Sequence, residues 1–139
     1  MRFQKMHTRH LKAVVDLENK NYTQPWTSSQ FKNCIPNERS RMHVVLDGEN
    51  NIIGYMILFR ANDGWYLENM TVAEEHRRKG VASRLVDLAR KVVHPEKIHV
   101  LVQDVFLGMH LMLKKNDFKA THVEKDDDGD DYYAFISGE

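Results

Sequence analysis

Residues 72–86 read VAEEHRRKGVASRLV, and this stretch says more about the fold than any other part of the sequence. An apolar run that predicts a strand precedes it, and apolar residues at helical spacing follow Gly80. A glycine turn between a strand and a helix directs several backbone N–H groups to one point, where the helix dipole adds positive charge. Arg77, Arg78 and Lys79 supply further positive charge there. The pattern predicts a diphosphate-binding turn, although a solvated helix start is the simpler alternative.

The segments on either side of this turn predict a mixed sheet with helices on its faces. Runs rich in β-branched and aromatic residues alternate with turn residues, and four stretches have helical spacing. Thr8 predicts the N-cap of the first helix, and Thr27 with Gln30 predicts a capping box for the second. The second helix is expected to end near Cys34. The predicted element order is β-α-α-β-β-β-α-β-α-β-β.

Composition predicts a single domain over residues 1–139, since the length suits one hydrophobic core. Lys and Arg total 20 and Asp and Glu total 20, so the chain lacks the positive charge that a nucleic-acid partner requires. No apolar run is long enough to cross a bilayer, and the charged first residues do not fit a signal peptide. We therefore expect a cytoplasmic protein with no membrane association. The single cysteine, Cys34, fits a reducing compartment.

The segment 72–86 resembles the acyl-CoA signature of the GNAT superfamily, Arg/Gln-x-x-Gly-x-Gly/Ala, with Ala82 in the last small position. The predicted element order also matches that superfamily over nearly the full chain. The resemblance implies an α/β (α+β) fold with a mixed, mostly antiparallel sheet of about seven strands and helices on both faces. It also implies acetyl-CoA as cosubstrate. The residues that it assigns to CoA binding are Met70, Thr71, Val72, Arg77, Arg78, Lys79, Gly80, Val81, Ala82 and Ser83.

Two further segments resemble different branches of the superfamily. Residues 22–31, which include Pro25-Trp26-Thr27, are similar to the substrate-side segment of bacterial ribosomal-protein alanine N-acetyltransferases. Residues 66–72, YLENMTV, are similar to a strand of the polyamine-type acetyltransferases. The resemblance therefore implies an amine acceptor, either a small molecule or a peptide, and four classes stay open: a peptide N-terminus, a lysine, a polyamine and another small amine.

The resemblance also implies catalytic roles for two residues. An alkylamine must lose a proton before it attacks a thioester, and Glu68 is placed where the polyamine-type strand carries its glutamate. A glutamate paired with Arg or Lys is the alternative explanation for this residue. The backbone N–H of Met70 is the expected donor to the oxyanion that forms during acyl transfer.

The sequence departs from the family pattern in the second half of the chain. Leu113 stands at the position of the tyrosine that protonates the leaving thiolate, Phe106 at that of an asparagine, and Asp117 at that of a glycine. Leu101 stands where the alanine N-acetyltransferases have a glutamate. The residues considered as replacements for the missing tyrosine are Tyr132, Tyr133 and His110. These departures favour the rival hypothesis, an acyl-CoA-binding module that has lost turnover.

Two remaining features concern ligands and partners. His7 and His10 have helical spacing, but no further ligands follow at a suitable distance, so we expect no metal. Residues 126–131 read DDDGDD, which predicts either a solvated hairpin loop or a surface that attracts a cationic acceptor. Either a monomer or a homodimer is compatible with the sequence.

Overall fold

The computed structural model describes residues 1–138. Strands within this range are β1 (Arg2–Lys5), β2 (Ser40–Leu46), β3 (Ile52–Ala61), β4 (Gly64–Val72), β5 (Ile98–Gln103), β6 (Phe118–Lys125) and β7 (Asp131–Ser137). Helices are α1 (Leu11–Asn21), α2 (Ser28–Cys34), α3 (Val81–Val93) and α4 (Leu107–Lys115). Two short 3-10 turns, Thr8–His10 and Glu74–His76, precede α1 and α3. The element order and the mixed, mostly antiparallel sheet predicted from the sequence are confirmed.

Across residues 1–138, the seven strands form one sheet in the order β1-β2-β3-β4-β5-β7-β6. Neighbouring strands are antiparallel, except that β4 and β5 are parallel. The β4–β5 ladder joins Trp65 to Ile98 and Tyr66 to His99. Beyond Tyr66 the rest of β4 has no ladder partner on that side in the described chain. The two strands therefore separate in the middle of the sheet.

Helices cover both faces of the sheet, as predicted. On one face, α3 packs over β3, β4 and β5 while α4 packs against β6, and the apolar stripe of α3 lies in the larger core. That stripe consists of Val81, Leu85, Val86, Ala89 and Val93. Burying a side chain such as Leu85 contributes about 1.5–3 kcal/mol. On the other face, α1 and α2 cover a smaller core around Phe31, Val44 and Tyr55.

The two predicted helix caps have different outcomes. Gln30 N–H donates to Thr27 Oγ1 at 3.2 Å, and Thr27 N–H donates to Gln30 Oε1 at 2.8 Å, so the capping box is confirmed. The prediction for Thr8 is wrong because Thr8 lies inside a 3-10 turn. His7 precedes that turn, and its N–H donates to Nδ1 of His10 at 2.9 Å.

Candidate active site

The candidate site is the opening between the second half of β4 and the facing strand β5. Ala73 N–H donates to a carbonyl of β3 at 2.8 Å. Because the main-chain groups of successive residues alternate between the two edges of a strand, those of Met70 and Val72 point away from β3 and into the opening. Both carbonyls accept side-chain bonds there, Met70 from Tyr22 Oη at 3.2 Å and Val72 from Arg77 Nε at 3.0 Å. The N–H groups of Met70 and Val72 therefore also line the opening.

Glu68 lies at a β-bulge beside this opening. Ile57 is opposite Asn69 while Leu58 is opposite Leu67, so Glu68 has no partner on β3. A bulge bends the strand and changes the direction of the extra side chain. None of the ion pairs formed within residues 1–138 includes Glu68, which argues against the alternative of a paired surface glutamate.

Partial burial raises the pKa of the Glu68 carboxyl above its usual range. The residue as a whole is exposed, so water still reaches the carboxylate. A carboxylate with a raised pKa binds a proton more strongly than an ordinary glutamate does. Glu68 is therefore suited to accept a proton from an amine.

Tyr66 and His99 lie on the face of β4 and β5 opposite the α3–α4 core, because their neighbours Trp65 and Ile98 point into that core. Their rings stack with centroids 5.0 Å apart. Tyr66 Oη donates to Asp63 at 2.7 Å, and this bond is the main reason that the Tyr66 pKa rises to about 12. Burial and the nearby carboxylates of Asp63, Glu124 and Glu68 contribute further. This face of the opening is therefore both aromatic and acidic.

The predicted phosphate-binding turn has the backbone geometry that anion binding requires. Arg78 has φ 63° and Gly80, the N-cap of α3, has φ 81°, so both adopt the left-handed conformation. Turns that contain left-handed residues gather N–H groups into an anion-binding concavity. A Cβ placed on Gly80 would have no atom within 4 Å, so the approach to the turn is open. The turn therefore fits a phosphate group.

The three basic side chains of the turn are not equivalent. Arg78 and Lys79 are exposed, as expected of mobile countercharges. Arg77 is held instead, since it donates to Val72 O at 3.0 Å and also to Asn21 Oδ1. Arg77 thereby ties the end of α1 and the end of β4 to the turn.

The other residues assigned to CoA binding have side chains that serve the fold. Val72 and Val81 are buried in the larger core, and Ala82 packs against it. Ser83 Oγ accepts a bond from Asn116 Nδ2 at 3.0 Å, which joins α3 to the end of α4. These residues can therefore offer a ligand mainly their backbone groups.

The four residues that depart from the family pattern have different surroundings in the structure. Leu113 is fully buried in the larger core, so this position points away from the opening. Asp117 has φ 66°, the conformation that explains a glycine there in the family. Phe106 is the half-exposed N-cap of α4. Leu101 is exposed on the face that carries Tyr66.

The residues considered as replacements for the tyrosine are not gathered at the opening. His110 in α4 bonds to Gln103 O at 2.9 Å, and its ring lies 5.0 Å from that of Tyr133. This pair borders an open cavity of about 320 Å³ beside α4. Tyr132 precedes Tyr133 on β7. Burial, followed by the nearby Asp126, raises the pKa of Tyr132.

A buried carboxylate that the sequence analysis missed organises the α1 side of the opening. Glu18 is 2% exposed. Its Oε2 accepts from Trp26 N–H at 2.9 Å, and its Oε1 accepts from Asn69 Nδ2 at 2.8 Å and from the Tyr55 hydroxyl. Burial, followed by the bond to Glu18, raises the pKa of Tyr55. Glu18 follows the buried Val14 by four residues, so both lie on one face of α1. This spacing was the sequence signal that could have identified Glu18 as buried.

The acidic loop is held partly by its own hydrogen bonds. Asp126 Oδ1 accepts from the N–H groups of Asp128 and Asp130, so part of the loop closes on itself.

Among residues 1–138, no group of three or more side chains could hold a metal ion. In the same residues, no helix has both the length and the apolar character needed to span a membrane.

The family model "Acetyltransferase (GNAT) family" matches residues 11–117, which is most of the chain. The chain therefore belongs to the GNAT family, and as a member of this family it is an N-acetyltransferase that uses acetyl-CoA. Among curated proteins, none matches the sequence.

Solved structures with a similar fold share little sequence with this chain. The ribosomal-protein-S18-alanine N-acetyltransferase of Escherichia coli is 15% identical, with TM-score 0.85 over 98% of this chain and 92% of that one. A chimera of Vibrio cholerae spermidine N-acetyltransferase SpeG and hSSAT is 19% identical, with TM-score 0.83 over 99% and 95%. Arabidopsis thaliana NAA60 bound to a bisubstrate analogue is 14% identical, with TM-score 0.82 over 97% and 95%. At these identities the likeness supports the fold alone.

Proposed function

We propose that this chain, as one catalytic domain, transfers the acetyl group of acetyl-CoA to a primary amine by direct attack of the amine on the thioester. The observation that carries the proposal is the opening between β4 and β5. At one end of it lies the bulged Glu68, and at the other end lies the turn that begins at Arg77. An extended ligand in the opening can reach both.

The turn is the proposed site of the CoA diphosphate. The backbone N–H groups from Arg78 to the first turn of α3 would bind phosphate oxygens, and the exposed Arg78 and Lys79 would add opposite charge. Arg77 has a different proposed role, which is to hold the turn against β4. Met70 and Val72 would contribute backbone groups to the pantetheine arm, in the manner of an added strand. Thr71 lies between them, and its own backbone groups face β3.

Glu68 is the proposed general base, and the N–H of Met70 is the proposed oxyanion donor. The carboxylate would take a proton from the incoming ammonium group, directly or through one water molecule. Met70 N–H points into the opening and is fixed by the ladder on its other side, so it could bind the developing negative charge without reorganisation. Both groups belong to one strand, which fixes their spacing.

The acceptor is proposed to be a peptide N-terminus, a lysine, a polyamine or another small amine. The similar structures include proteins named for a ribosomal protein's alanine and for spermidine, and this range supports no narrower choice. A cationic acceptor is favoured by the carboxylates of Asp63, Glu68 and Glu124 near Tyr66.

The test is thiol release from acetyl-CoA with a panel of amines from these four classes. Amine-dependent release that follows acceptor concentration is expected. Binding of CoA without release for any amine would instead support the rival hypothesis of an acyl-CoA-binding module.

A further inference from the structure

A tyrosine at the end of α1 lies at the edge of the opening. Tyr22 is the C-cap of α1, and its Oη lies 3.2 Å from Met70 O and 3.0 Å from Thr71 Oγ1. We propose that Tyr22 is a further catalytic residue, which donates the proton that the departing CoA sulfur takes up. This inference rests on the proposed function, because it assumes that the thioester carbonyl binds Met70 N–H.

The position of Tyr22 follows from strand geometry. In an extended strand, the N–H and C=O of one residue point to the same edge. The Tyr22 hydroxyl, bound to Met70 O, therefore lies at the edge that also carries the proposed oxyanion donor, Met70 N–H. The sulfur of a thioester is bonded to its carbonyl carbon, so a thioester held at this edge has its sulfur close to the phenol.

A chain of hydrogen bonds from the interior orients the phenol. Thr71 Oγ1, which bonds to Tyr22 Oη, also donates to Asn69 Oδ1 at 3.3 Å. Asn69 Nδ2 in turn donates to the buried carboxylate of Glu18. Tyr22 as a whole is 36% exposed, and its two hydrogen bonds restrain the hydroxyl at the edge of the opening. Burial raises the pKa of Tyr22, so the hydroxyl stays protonated at neutral pH.

The other candidate donors lie elsewhere. Leu113 has no proton to give and is buried in the larger core. His110 and Tyr133 pack against each other under α4, on the opposite face of the sheet from α1. Tyr22 is the tyrosine whose hydroxyl bonds directly to the backbone of the opening.

The proposed step is balanced. The neutral amine nitrogen forms a bond to the acetyl carbon, the carbon–sulfur bond breaks, and its electron pair goes to sulfur. The Tyr22 hydroxyl proton passes to sulfur and yields the free thiol of CoA. Glu68 passes the proton that it took from the ammonium group to solvent and then accepts the proton that the new amide nitrogen loses, and Tyr22 regains a proton from solvent.

The kinetic test replaces Tyr22 by Phe, which removes only the hydroxyl. We expect kcat to fall about 10- to 100-fold, below the full range for acid catalysis because a thiolate leaves readily, while the KM for acetyl-CoA stays within about twofold. Tyr133→Phe is the matched control and is expected to keep the wild-type kcat. Fluorinated tyrosines at position 22 should change kcat in step with the pKa of their phenols, which a purely structural hydroxyl would not do.

A binding cycle tests the same contact without turnover. At pH 9.5, above the ordinary thiol pKa of about 8.5, CoA is mainly a thiolate, whereas desulfo-CoA has no sulfur. We expect wild-type protein to prefer CoA over desulfo-CoA by about 10-fold, as for a hydrogen bond to a charged group, and Tyr22→Phe to lose that preference.

The two proposals fail in different ways. If wild-type protein acetylates no amine but the binding cycle shows the preference, the proposed function is wrong and the placement of Tyr22 stands. If Tyr22→Phe keeps the wild-type kcat, or if the cycle shows equal preferences in both proteins, Tyr22 is not the proton donor.

Discussion

Asn69 and Glu18 are joined by a hydrogen bond of 2.8 Å that links the strand residue after the bulge to the buried carboxylate of α1. Glu18 also accepts from Trp26 N–H and the Tyr55 hydroxyl, so one side chain connects α1, the segment before α2, β3 and β4. The strand residue next to Glu68 is therefore bonded to a side chain that is 51 positions away along the chain.

Replacing Glu18 by Gln should destabilise the protein by about 1–3 kcal/mol. The amide supplies one acceptor instead of two and directs N–H groups toward buried donors. Urea denaturation measures the loss, and Asp16→Asn, an exposed change on the same helix, serves as the control. Equal denaturation midpoints for Glu18→Gln and wild type would show that the hydrogen bonds of Glu18 do not contribute to stability.

Gly80→Asp should abolish the rise in Tm that CoA causes in wild type, because it places negative charge at the proposed diphosphate site. Gly80→Asn is the matched control, since it has nearly the same shape and the same strain at φ 81° but no charge. We expect a larger CoA-induced shift for Asn than for Asp. An undiminished shift in Gly80→Asp would place the diphosphate elsewhere.

Glu68→Gln should lower kcat/KM by about 10²–10⁴-fold, with CoA affinity nearly unchanged. The loss should be smaller at high pH, where more of the amine is neutral. In wild type, activity should fall as the pH drops through the raised pKa of Glu68, because the protonated carboxyl can no longer accept a proton. Glu49→Gln, in the exposed β2–β3 turn, is the control. A wild-type rate for Glu68→Gln at neutral pH would assign deprotonation to water or to another group.

Neutralising the acidic loop should raise the KM for cationic acceptors while kcat and CoA binding stay nearly constant. The best substitutions are Asp127→Asn, Asp128→Asn and Asp130→Asn together, since Asp126 holds the loop through its Oδ1. The effect on KM should weaken as salt is added, because salt screens exposed charges. The screening length is about 8 Å at physiological ionic strength. An unchanged KM at low salt would identify the loop as solvated surface alone.

His43 should make the folded state sensitive to acid. Its Nδ1 is buried without a hydrogen-bond partner in the described structure, and burial, with Lys5 and Arg41 nearby, lowers its pKa. Because the folded pKa lies below the unfolded one, the contribution of neutral His43 is present above about pH 6.5 and is lost as the pH falls through the folded pKa. His43→Leu should reduce this loss of Tm between pH 7 and pH 5. If Tm falls by the same amount between pH 7 and pH 5 in both proteins, His43 is not the source of the acid sensitivity.

Local patterns in the sequence were enough to predict the elements and the glycine turn before α3. The capping box of Thr27 and Gln30 and the glycine at the start of α3 concern residues a few positions apart, whose geometry depends on neighbouring backbone. The apolar spacing of α3 likewise predicted which face is buried. For this reason the element order and the family resemblance could both be read before the structure.

The arrangement of the opening between β4 and β5 was decided by tertiary structure. The bulge at Glu68 depends on the register between β3 and β4, and the opening depends on the early end of the β4–β5 ladder, neither of which has a pattern within a single segment. Glu18, Asn69, Thr71 and Tyr22 form one network only because α1 packs against β4. Long-range contacts of this kind arise when the two cores close on the sheet, so the residues that form the site are far apart in the chain and carry no shared signal in the sequence.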